Sequence, residues 1–101
     1  MKLKITARSF ELTPDIEEVV EKKFKQKLEK FLTHYPDDAC KAELVLAKGE
    51  RWGFKAHCEL DLPGENLHAE ESHKELVYAI TALTKELTAQ LIKKKEKSLN
   101  N

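Results

Sequence analysis

The stretch FKAHCELDLPGENLHAEE, residues 54–71, decides the fold. Phe54, Ala56, Cys58, Leu60 and Leu62 alternate with polar residues, the period of two that marks a strand with one buried face. Pro63-Gly64 breaks the pattern, and residues 65–71 resume it as a second strand. Symmetry about Pro63-Gly64 sets Leu60 opposite Leu67 and Cys58 opposite Ala69 on the apolar side. A slip of one residue would turn every apolar side chain outward, so the apolar pattern itself selects this register. Pro-Gly suits a four-residue loop better than a tight primed turn. On the polar side Glu59 then faces His68 and His57 faces Glu70, which accounts for both histidines as cross-strand partners of carboxylates in preference to metal ligands.

Reading outward from this hairpin, residues 39–47 place Cys40, Ala42, Leu44 and Leu46 on one face, and Lys48 to Gly53 form the connecting loop. Upstream, Leu3, Ile5 and Ala7 alternate with Lys2, Lys4, Thr6 and Arg8, so residues 2–9 are a further strand. Thr13-Pro14-Asp15 starts a helix, with Thr as N-cap, Pro at the first helical position and an acid facing the positive end of the dipole. Ile16, Val19, Val20, Phe24, Leu28 and Phe31 make its apolar stripe, which ends near Thr33. Ser72-His73-Lys74-Glu75 reads as a capping box opening a second helix. That helix carries Leu76, Ile80, Leu83, Leu87 and Leu91 on one face and runs to Lys97 or beyond.

The order is β-α-β-β-β-α, an α+β fold. A right-handed crossover makes the first two strands parallel, and two hairpins bring the fourth into the same direction. The expected architecture is a four-stranded mixed sheet with two roughly parallel helices on one face. With 101 residues the chain makes a single domain, residues 1–101, with a folded core of about 2–97. It is too small for a large multi-substrate enzyme. No segment resembles a signal peptide or a membrane-spanning helix, which points to the cytoplasm and away from membranes. Cys40 and Cys58 lie in no zinc-binding spacing and are expected to be buried reduced thiols; neither metal nor cofactor is expected.

The 18 basic and 18 acidic side chains cancel, but they are unevenly distributed. Residues 34–73 carry four basic and nine acidic groups, net −5, while residues 74–101 carry six lysines and three acids, net +3. Around the first helix, Lys23, Lys27 and Lys30 fall on one side of the apolar stripe, and Glu17, Glu18, Glu21 and Glu29 on the other. Parallel helices would bring those lysines near Lys85, Lys93, Lys94 and Lys97. Such a cluster can neutralise phosphates. Equally, lysines near helix C-termini complement the dipole and cover apolar stripes with their methylenes. Trp52, beside Arg51 and Lys55, could stack on a base, though folding back over the sheet edge is the preferred reading. Tyr78 and Thr81 sit on the outer side of the second helix. No nucleophile motif or phosphate-binding glycine loop is present, and an enzyme is not expected.

Several short motifs occur in a specific order: Met1-x-Leu3-x-Ile5-Thr6, Phe10-Glu11-Leu12-Thr13-Pro14, Lys27-Leu28-Glu29, Leu67-His68-Ala69-Glu70, Ala79-Ile80-x-x-Leu83 and Gln90-Leu91-x-Lys93. Over nearly its whole length the chain thus resembles the short ribosome hibernation promoting factors, the ribosome-associated inhibitors once called sigma-54 modulation proteins. The resemblance implies a protein that binds the small ribosomal subunit, through 16S rRNA and neighbouring ribosomal proteins, in the channel between head and body that messenger and transfer RNA would occupy. Occupancy blocks translation in stationary phase or stress. Short members also promote inactive 70S particles and, with a ribosome modulation factor, 100S dimers. The four residues after Lys97 fit that short subtype. By this resemblance the protein is a monomer off the ribosome and binds neither DNA nor membranes.

The basic positions of the family's first helix map onto Lys23, Lys27 and Lys30. In the second helix Glu86 and Ala89 stand where relatives usually carry cations, with Lys85, Lys93, Lys94 and Lys97 supplying charge nearby. Two other readings fit parts of the pattern. One is a generic double-stranded RNA binding module, although Ser72 to Leu76 lack its lysine cluster. The other is a protein-interaction domain acting through Glu59, Asp61, Glu70 and Glu71 on the acidic sheet face.

Overall fold

The computed structural model of the chain describes residues 1–33, 35–49 and 51–99, with side chains as far as Lys94 in the last helix. The elements follow the expected order: β1 (Lys2–Arg8), α1 (Pro14–Leu28), β2 (Lys41–Lys48), β3 (Phe54–Leu62), β4 (Glu65–His73) and α2 (Leu76–Leu99). One sheet forms in the order β1-β2-β3-β4, parallel between β1 and β2 and antiparallel elsewhere.

The apolar alternation sets the register as expected. Leu60 faces Leu67, Cys58 faces Ala69, Glu59 faces His68 and His57 faces Glu70. The turn differs from expectation: Leu62 pairs with Glu65, so Pro63-Gly64 is a two-residue connection. Proline holds φ near −65°, whereas Gly64 has φ +78°, the φ pair of a type II turn. Glycine at the second position absorbs what a side chain could not. Opposite His57, the Glu70 carboxylate swings to the Lys55 ammonium at 2.8 Å, and that hydrogen bond holds Glu70 below its ordinary pKa.

Helix α1 starts where Thr13-Pro14 predicts. The Ile16 N–H donates to Thr13 Oγ1 at 3.3 Å, and Pro14 occupies the first turn. Val20, Phe24 and Leu28 are buried, but Val19 is 45% exposed and does not belong to the core-facing stripe. Glu29–Phe31 tighten into a 3-10 turn, and the altered phase buries Leu32 while leaving Phe31 only partly covered. A further 3-10 turn, Asp37–Ala39, delays β2 to Lys41.

The capping box does not form. Ser72 and His73 remain in β4, paired with Lys55 and Phe54, and α2 begins at Leu76. The Glu75 N–H donates instead to His73 Nδ1 at 3.3 Å, and the Glu75 carbonyl accepts from the Ala79 N–H at 3.0 Å. Continuing the β3–β4 ladder satisfies backbone groups that a cap at Ser72 would have left unpaired.

Both helices lie on the inner sheet face. Ala42, Leu44, Leu46, Ala56, Cys58, Leu60 and Leu62 of the sheet meet Phe24, Leu28, Ile80, Leu83 and Leu87, all buried. Ile16 and Leu76 line one groove at the starts of the two helices. At the other end Lys94 of α2 reaches Tyr35, just beyond α1. The helices are therefore parallel, as expected. Thr84 is the one buried polar side chain among the described residues, and its hydroxyl donates to the Thr81 carbonyl at 2.8 Å.

At the α2–β4 seam, hydrogen bonding to Glu71, partial burial and the Glu71 charge raise the Glu86 pKa. A carboxyl held above its ordinary value keeps its proton more firmly folded than unfolded. Its ionisation therefore costs stability as pH rises from the usual carboxylate range.

Three outcomes are expected. Phe24→Ala should cost about 3–5 kcal/mol in urea unfolding, since a fully buried ring leaves a cavity. Glu86→Gln should raise the thermal midpoint at pH 7 by a few degrees and have less effect at pH 4. Burial pushes the Cys58 thiol up to about 12 and raises Cys40 as well. Iodoacetamide at pH 8, followed by mass spectrometry, should leave both thiols unmodified in the native protein and label both in urea.

Candidate nucleic-acid interface

The Thr13 cap sets where α1 begins, and burial of Val20, Phe24 and Leu28 sets its rotation. Together these place Val19, Lys23, Lys27 and Lys30, at steps of four, four and three, along one flank. Val19 lines the same groove as Val77 of α2, so this flank is the one turned toward the second helix. Lys23, Lys27 and Lys30 are all exposed, and among the described residues none of them makes an ion pair. Lys30 extends over the Phe31 ring, with Nζ 5.7 Å from its centroid. On the opposite flank Lys25 is bound to Glu21 at 3.0 Å, an i,i+4 pair that leaves it little charge for a partner.

The α2 lysines are dispersed. Ile80, Leu83, Leu87 and Leu91 face the core, which points Lys85 outward, where it is exposed. Lys93 is exposed on the flank nearer β4, three residues beyond Gln90, whose side-chain amide donates to the His68 carbonyl at 3.0 Å. Glu86 shares that flank, seven residues before Lys93. Lys94 turns inward: it forms an ion pair with Glu65 and donates to the Tyr35 hydroxyl at 3.3 Å. The hydrogen bond to Glu65 is the main cause of its raised pKa. Lys94 thus ties the β3–β4 turn and the segment after α1 to the second helix. The Lys97 side chain lies outside the described residues.

The structure therefore sets Lys23, Lys27 and Lys30 in one exposed row on α1 and leaves Lys85 exposed on the outward side of α2. It separates Lys93 from them and commits Lys94 to an internal contact. A row of lysines at helical spacing presents point charges about one turn apart, suited to phosphate oxygens and indifferent to base identity. The sequence reading missed that Trp52 stays out in solvent, 66% exposed, instead of folding over the sheet edge. The next residue, Gly53, has φ +76° and runs against the His73 backbone, where a Cβ would not fit. The exposure of Val19 was legible in principle, because on a helical wheel it lies well away from Phe24.

The model of the family described as "Sigma 54 modulation protein / S30EA ribosomal protein" matches residues 3–98. Among solved structures, the Thermus thermophilus Protein Y N-terminal domain is 30% identical. Its TM-score is 0.72, and the match covers 90% of this chain and 96% of that one. A ribosomal subunit interface protein from Coxiella burnetii, 19% identical with a TM-score of 0.76 over 95% of this chain and 99% of that one, shares the fold. No curated protein matches the sequence. With its length matched almost from end to end and its β-α-β-β-β-α fold in common, the chain belongs to the sigma-54 modulation protein / S30EA ribosomal protein family.

Proposed function

We propose that this protein is a ribosome hibernation factor that occupies the mRNA and tRNA channel of the 30S subunit and blocks translation by steric exclusion. The observation that carries the reading is the row Lys23, Lys27 and Lys30, exposed and without ion pairs among the described residues, on the helix of a family member. The buried stripe beneath the row holds the helix that carries it, so docking on an RNA backbone orders the lysine side chains but not the helix. Lys85 extends the contact; Lys93 and Lys97 contribute at its margin, and Lys94 acts by holding the end of α2 in place. The work of the protein is occupancy, so it needs no nucleophile, metal or cofactor.

Acting in the cytoplasm during stationary phase or stress, the protein keeps 70S particles idle and, with a ribosome modulation factor, promotes 100S dimers. Glu86 beside Glu71, where relatives carry a cation, weakens the α2 contribution and leaves the α1 row dominant.

Sucrose-gradient sedimentation with purified ribosomes tests the reading. The protein should comigrate with 30S and 70S particles at low salt and less at moderate salt, because released counterions drive part of the binding. Protein remaining at the top of the gradient at both salt concentrations defeats the proposal. Lys23→Glu with Lys27→Glu should weaken binding by at least tenfold with the thermal midpoint preserved, and should flatten the slope of log K against log salt by about 1–2.

A further inference from the structure

Five large apolar side chains stand exposed among the described residues, and Val19, Trp52, Val77 and Tyr78 belong to the same end of the molecule. That end holds the starts of both helices, the β2–β3 loop and the close of β4. Between the helices runs a groove of about 480 Å³ lined by Phe10, Ile16, Val19, Phe54, Leu76 and Val77. Its floor is firm: Phe10 and Phe54 meet edge to face with centroids 5.5 Å apart. Val19 and Val77, 45% and 38% exposed, form the two lips.

Two ionisable groups line the groove, Asp15 and Glu75, and both are acids. Each stands at the start of a helix, where the dipole supplies about half a positive charge, so a full carboxylate leaves the rim net negative. A phosphate backbone is repelled from such a rim. An apolar side chain next to a cation satisfies both parts of it: the first loses contact with water in the groove, and the second reaches the carboxylates. Isolated exposed aliphatic residues need no explanation, but a preformed apolar cleft is one of the recurring forms of a peptide-binding surface.

We propose that the groove between the first turns of α1 and α2 is a docking site for a segment of a partner protein that presents an aliphatic or aromatic side chain beside a lysine or arginine. This surface lies at the opposite end of α1 from Lys27 and Lys30, so the protein holds RNA with one part of its helical face and a polypeptide with another.

The test is a titration of 15N-labelled protein with an acetylated, amidated hexapeptide of alternating leucine and lysine, followed by amide chemical shifts. Shifts concentrated at Ile16, Val19, Leu76 and Val77 are expected, with at least tenfold weaker binding in the double variant Val19→Ser, Val77→Ser. Asp15→Asn with Glu75→Gln should weaken binding about three- to tenfold, with folding checked by the thermal midpoint. No shifts at millimolar peptide overturns the proposal, as does an equal response to a control hexapeptide of alternating leucine and glutamate. Concentration-dependent self-association that the double serine variant abolishes assigns the groove to a second copy and overturns it too. Because the serine variant retains every lysine of the α1 row, its comigration with ribosomes reports on the RNA reading separately.

Discussion

The whole arrangement depends on the inner face of the sheet being apolar while the outer face is not. Ala56, Cys58, Leu60 and Leu62 of β3, a central strand, are all buried, and so are Ala42, Leu44 and Leu46 on β2 and Leu67 and Ala69 on β4. The outer face carries Lys4, Glu43, His57, Glu59 and Glu70 and stays in water. Both helices must therefore share one side. Two helices that each follow a strand of the same direction then lie parallel, with their starts at one end of the molecule and their ends at the other.

That constraint sets the electrostatic character of the surface. Once Phe24 and Leu28 are buried, α1 has no rotational freedom left, and Lys23, Lys27 and Lys30 face outward beside α2 regardless of what they bind. The acids cannot join them: Glu21 lies on the other flank, engaged with Lys25. A chain with zero net charge thereby presents a coherent cationic row, and the net charge says nothing about it.

The two ends of the helix pair are built differently. Where the helices finish, Lys94 reaches across to Glu65 and Tyr35 and fastens three segments together. Where they begin, no corresponding polar tie spans the gap among the described residues, and an apolar groove bordered by Asp15 and Glu75 stays open. The contrast between a fastened cationic half and an open apolar end gives the surface two chemically distinct parts.

The sequence by itself determined the element order, the β3–β4 register and the start of α1, because each rests on local periodicity or on a cap within four residues. It also determined that Lys23, Lys27 and Lys30 share a flank, since that follows from 3.6 residues per turn once the stripe is known. The tertiary structure alone decided the rest. β4 ran past Ser72 because its partner strand offered hydrogen bonds that a local capping box could not match. Lys94 is drawn into a half-buried contact because Glu65 and Tyr35, distant in sequence, converge beside it. The groove that Val19 and Val77 border stays open because its width depends on how both helices pack against the sheet, a quantity no single helix encodes.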